Sequence, residues 1–119
     1  MRKKKLNLAK SLNTKRWAIL QKIHSEIFAA GDSAVPELID AYDKVRFWQG
    51  RKLILYSLVR YGRTHKEAYE LGIKALKDES SQVREEANVL IATADSNKAI
   101  ERFKARGETC PEWPFNVKE

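Results

Sequence analysis

The stretch from Ser33 to Asp95 says the same thing about one and a half times, and this repetition constrains the fold more than any single motif. Ala34, Val35, Ile39, Ala41 and Tyr42 are matched at an offset of 34 by Ala68, Tyr69, Ile73, Ala75 and Leu76. Between these copies, residues 50–62 align with residues 83–95 at an offset of 33. Self-similarity with a period in the low thirties marks stacked helical pairs, in which no pair shelters its apolar side alone and each lies against the next. The fold class expected is all-α, a short right-handed α-solenoid of about three helical hairpins stacked in series.

The hydrophobic spacing supplies the helices. Over residues 14–30, Trp17, Leu20, Ile23, His24, Ile27 and Phe28 recur at steps of three and four and fall on one expected face. His24 reads there as a packed core histidine. Gly31 suits a helix exit, and Asp32 or Ser33 is the candidate cap of the next helix. That helix, over residues 34–44, tolerates Pro36 in its first turn and buries Val35, Leu38, Ile39 and Tyr42. Residues 48–61 are apolar nearly all round, which places this helix in the centre of the stack. Thr64 and Glu67 have the spacing of a capping box, opening a helix to Lys77 with Ala68, Tyr69, Ile73, Ala75 and Leu76 as its core. Gly72 stands where the first copy has Leu38, so a neighbouring side chain must fill that space. Helices over residues 82–94 and 97–106 complete the expected domain, 14–106. Residues 1–13 form a basic segment with a mobile start, whose leucines, Leu8 and Leu12 among them, cover one end of the stack. Residues 107–119, with Trp113 and Phe115, read as a capping tail.

Charge adds to this picture through its distribution. The net charge of +7 is unevenly spread: residues 1–22 carry eight Lys and Arg with no acid, whereas residues 23–43 carry five acids and no Lys or Arg. Residues 44–66 carry seven Lys and Arg and again no acid. In a fold that keeps sequence neighbours together, such blocks become separate surfaces. The basic run at the start lacks a following apolar core, so it does not read as a secretory signal. With the single cysteine, Cys110, this favours a reducing, cytoplasmic setting. No apolar run is long enough to span a membrane.

Catalytic chemistry finds no foothold in the pattern. No metal-ligand cluster, phosphate-binding glycine loop or nucleophile beside a base is evident, and no cofactor or metal is expected. Glu85 and Glu86, like Asp78 and Glu79, are sequence neighbours and do not face each other on a helix.

The pattern resembles the HEAT-like repeat family. Two elements carry the resemblance: Ala34-Val35-Pro36 through Leu38-Ile39 to Ala41-Tyr42, and Asp78 through Val83-Arg84 to Ala87. The first helical copy departs from it, with Gly50 and Ile54 in place of the valine and alanine and Lys44 in place of the aspartate. Arg51 still matches Arg84, and Asp43 is the candidate acid for it, as Asp78 is for Arg84. The resemblance implies that the second helix of each pair lines an inner, concave surface. Glu37, Asp40, Lys44, Trp48, Glu70, Lys74, Lys77, Arg102 and Arg106 would lie there. Trp48, Tyr56, Tyr61 and Trp113 are residues of the kind that anchor protein interfaces. Some DNA glycosylases are also built of HEAT-like repeats, and Phe47 to Arg51 is mildly similar to them, but no acid stands convincingly beside an aromatic cluster.

Two functions follow as expectations. The first is a non-enzymatic protein-binding module, most concretely a small inhibitor or bacterial toxin-immunity protein. It would be a monomer until it blocks one partner, such as a toxin encoded nearby. The alternative is salt-sensitive, sequence-independent nucleic-acid binding through Lys44, Arg46, Arg51, Lys52, Arg60, Arg63, Lys66 and the N-terminal bases.

Overall fold

The computed structural model describes residues 7–95 and Gly107. The expected helix over 97–106, Arg102 and Arg106 within it, and the capping tail with Trp113 lie outside the described residues, as do the first six positions. Among the described residues the structure is entirely helical, with no strand. No helix of these is long and apolar enough to cross a membrane.

A single turn, α1 (Leu8–Ser11), opens the described chain. Leu8 and Leu12 are fully buried, and the turn lies against α3 (Val35–Tyr42). Asn13 and Thr14 then hold the backbone out of a helix. The Asn13 Oδ1 accepts from the Arg46 N–H at 3.0 Å and the Thr14 Oγ1 from the Arg16 N–H at 3.1 Å. Helix α2 (Trp17–Ala30) therefore starts three residues later than the periodicity predicts.

The apolar stripe of α2 is wider than its contact with the core. Leu20, Ile23 and Ile27 are buried, whereas Trp17 is 68 % and Phe28 64 % exposed. At 100° per residue, Trp17, His24 and Phe28 align on a line of their own, beside the buried one. The expectation of one six-residue buried face is thus corrected to two adjacent lines, of which one is buried. Gly31, at φ 67°, ends α2 in a left-handed conformation that disfavours side chains. A 3-10 turn, Gly31–Ala34, leads into α3. Neither Asp32 nor Ser33 caps it; the Ser33 hydroxyl turns back to the Ala30 carbonyl at 2.7 Å.

Helix α4 (Trp48–Leu58), continued by a 3-10 turn over Val59–Tyr61, occupies the centre as expected. It packs against α2, α3 and α6 (Ser81–Asp95). Its Gly50 is dictated by packing: a Cβ there would run into the Leu12 carbonyl and come within 2.7 Å of Val45 Cγ1. Helix α5 (Lys66–Ala75) has no side-chain cap. The Thr64 hydroxyl is engaged by the His65 ring at 2.9 Å, so the expected capping box with Glu67 does not form. The core of α5 also differs from expectation, because Leu71 is buried and Ile73 is exposed. The space above Gly72 is filled by Leu90, whose Cδ2 lies 2.9 Å from where a Cβ would stand. In α6, Val83, Ala87, Leu90 and Ala94 are buried.

The helices form two rows. Helices α2, α4 and α6 lie side by side in one, and α1, α3 and α5 contact in turn in the other, with α3 on α4 and α5 on α6. This arrangement leaves two outer faces of different character.

Candidate functional site

Three clusters compete for a functional role, and their geometry separates them. The first is a charged junction beneath α3 and α4. Arg51 donates from Nε to Asp78 Oδ2 at 2.9 Å and from Nη2 to Oδ1 at 3.0 Å. Its Nη1 donates to the carbonyls of Arg46 at 2.6 Å and Val45 at 3.3 Å. Tyr42 donates its hydroxyl to Asp78, and the Ser80 N–H adds a bond of 2.9 Å. Arg84 reaches the Asp78 backbone carbonyl at 2.7 Å. The expected carboxylate pairings thus change: the Asp78 carboxylate takes Arg51, Arg84 holds Asp78 only by its backbone carbonyl, and Asp43 takes Lys74 at 2.7 Å. Burial pushes the Asp78 carboxyl up, but bonds from Arg51, Tyr42 and the Ser80 N–H outweigh it and hold the group below its ordinary range. Burial and the adjacent carboxylate raise the Tyr42 hydroxyl well above its usual value. Burial works against the charge on Arg51, but the Asp78 carboxylate prevails and raises it. Every charge here has a partner, so the junction is structural.

The second cluster is the basic set proposed for phosphate contact. Arg51 and Arg63 are buried, and Arg63 donates to the Ala94 carbonyl. These two are corrected from surface bases to internal ties. Arg46 and Lys15 instead flank the Phe47 ring, at 5.6 and 5.1 Å from its centre. Lys52 lies near Glu86, whose carboxyl burial pushes up against the pull of that lysine. Lys66 and Arg60 are exposed, and Arg60 belongs to the third cluster below. With two members buried and one beside an acid, the set forms no unbroken basic track.

The outer face of α3 and α5 carries most of the residues assigned to a concave surface by resemblance. Asp40, Lys44, Glu70, Lys74 and Lys77 are exposed there and Glu37 is partly so. Lys44 pairs with Asp40 at 2.9 Å one turn away, and Lys74 joins Asp43 across helices. Trp48 stands apart from them, at the start of α4 in the other row. This face is solvated, and Asp40, Asp43, Lys44 and Lys74 pair among themselves on it.

The third cluster is a groove of about 400 Å³ on the row of α2, α4 and α6. Helix α2 contributes His24, Ile27 and Phe28; α4 and its 3-10 turn contribute Tyr56, Ser57 and Arg60, with Val59 and Tyr61 beside them; Thr93 closes it from α6. Two equal offsets build it, because α2 and α4 run in register: His24 meets Tyr56, ring centres 5.3 Å apart, and Phe28 meets Arg60. The Arg60 guanidinium lies 4.7 Å from the Phe28 ring centre and 5.3 Å from that of Tyr61. Tyr56 is 54 % exposed. Beneath these rings the Ser57 hydroxyl is buried, and no described group bonds to it.

Sequence reasoning found Tyr56 and Tyr61 as anchors but assigned His24 and Phe28 to the core and Arg60 to phosphate. It missed Ser57 altogether. The available signal was the excess width of the α2 stripe, aligned at an offset of 32 with Tyr56 and Arg60. Among the described residues no cluster of His, Cys, Asp and Glu fit to hold a metal ion occurs. Searches of protein-family models, curated proteins and solved structures find no significant match to the chain.

Proposed function

We propose that the chain is a short right-handed α-solenoid of HEAT-like hairpins acting as a non-enzymatic protein-binding module. Its most concrete form is a small inhibitor or toxin-immunity protein that binds and blocks one partner. The observation that carries this reading is the groove, where Phe28 and Tyr56 are more than half exposed beside each other's helices over an apolar floor. Large aromatic side chains held on a rigid helical surface are what protein interfaces use as anchors. Among the described residues the Ser57 hydroxyl has no hydrogen-bond partner, His24 included, so none of them is a base that activates it. Binding is the role this supports. The nucleic-acid alternative loses Arg51 and Arg63 to the interior, and no observation favours it over the groove.

The test uses the purified chain and the product of the neighbouring gene. Co-elution and block of that product's activity are expected of the wild type, and both are lost in Phe28→Ser/Tyr56→Ser although the variant stays folded by circular dichroism. Wild-type protein that neither co-elutes nor inhibits sinks the proposal.

A further inference from the structure

Resting on the protein-binding reading, we infer that the groove takes a segment of the partner in which a large apolar side chain stands next to a carboxylate. The apolar side chain enters between Phe28 and Tyr56, and the carboxylate meets Arg60.

Size limits the occupant first. About 400 Å³ is near the lower end of ligand sites, enough for one bulky side chain and its backbone and too little for a folded element. The walls choose its character. His24, Ile27, Phe28, Tyr56 and Val59 offer rings and aliphatic carbon, so an aromatic or branched aliphatic group gains most by leaving water there.

Charge supplies the second half. The groove lining contains a guanidinium and no carboxylate, and among the described residues none pairs with Arg60 in an ion pair. Two rings hold Arg60 in place, at 4.7 and 5.3 Å. A guanidinium stacked this way is pre-organised, and its N–H fork matches a carboxylate in a two-bond arrangement. Next to a newly dried apolar wall that bond is stronger than in open water.

The floor beneath is closed. Ser57 is 6 % exposed, and its hydroxyl lies out of reach of solvent with no partner among the described residues, so an inserted segment meets the rings and the Arg60 guanidinium and not this group. A nucleic-acid strand fits this set less well, because its phosphates need several exposed bases in line and Arg51 and Arg63 are internal.

The experiment pans a random heptapeptide phage library on the full chain and, in parallel, on Arg60→Glu. Wild type is expected to enrich peptides with an aromatic or branched aliphatic residue beside Asp or Glu, and Arg60→Glu to lose the acid. The best peptide, synthesised with a fluorophore, should bind Arg60→Gln at least tenfold more weakly by anisotropy, and Ser57→Ala as tightly as wild type. Arg60→Gln should melt as wild type does, which separates lost contact from lost fold. No enriched sequence, an enriched set without acids, the same set on Arg60→Glu, or displacement of the peptide by oligo(dT) overturns the inference. A partner that still co-elutes with Arg60→Gln, but not with Phe28→Ser/Tyr56→Ser, overturns it while leaving the protein-binding reading intact.

Discussion

The Arg51–Asp78 junction and the Ser57–Arg60 groove use similar groups to opposite ends. In the junction, one arginine meets one carboxylate through two bonds and two backbone carbonyls besides, with a tyrosine and an amide completing the carboxylate's shell. In the groove, one arginine rests on two rings, and one hydroxyl has no described partner. The junction's polar groups are spent on holding α3, α4 and the α5–α6 connection together. In the groove the Arg60 guanidinium has no ion-pair partner among the described residues. A closed set of bonds marks structure, and an open set on a concave apolar surface marks a place for something else to bind.

The largest effect that sharpens this contrast is removal of one junction partner. Asp78→Ala should cost about 3–5 kcal/mol, because it strands a buried guanidinium; urea denaturation measures it. Arg60→Ala, by comparison, should leave the urea midpoint nearly unchanged. A similar loss for both would erase the distinction. The region around the junction is also the tighter one, and Gly50→Ala should cost about 1–3 kcal/mol by forcing the Leu12 backbone away.

Acid separates the two regions next. The Asp78 carboxyl is held below its ordinary range in the folded chain. Its contribution is therefore fully present above the unfolded value, roughly pH 4, and is lost as pH falls through the lower folded value. Midpoints taken at pH 7 and at pH 3 should differ more in wild type than in Arg51→Met, in which that carboxyl lacks its main partner. The smallest expected effect has the opposite sign. Ser57→Ala removes a buried hydroxyl without a described partner and should raise stability by up to about 1 kcal/mol. A clear loss would mean that the hydroxyl is already satisfied, and the groove would then look like the junction.

Much of the helical content was legible because the repeat sets both period and register. Gly72 is an instance: the first copy has Leu38 at that place, and Leu90 fills the gap as the comparison of copies requires. What the pattern could not resolve was which of two adjacent helical lines meets the core. Trp17, His24 and Phe28 lie only a fraction of a turn from Leu20, Ile23 and Ile27, and hydrophobicity is the same on both lines. The α5 core shows the same limit in Leu71 and Ile73. Pairing of charges was misread for a related reason. Linear proximity favours Asp78 with Arg84, whereas the fold brings Arg51 from 27 residues away, a contact that no local spacing encodes. The groove was hidden in the same way, since it arises between helices and its hydroxyl carries no sequence signature.

The close approach of Leu12 to Gly50 has a consequence for how the chain is born. An isolated turn of four residues, such as α1, does not persist in water. On the ribosome it leaves the tunnel before Gly50 and has no seat until the glycine has followed it. Vectorial synthesis thus leaves Leu8 and Leu12 bare for that interval, and this turn sets only after a residue made later than itself.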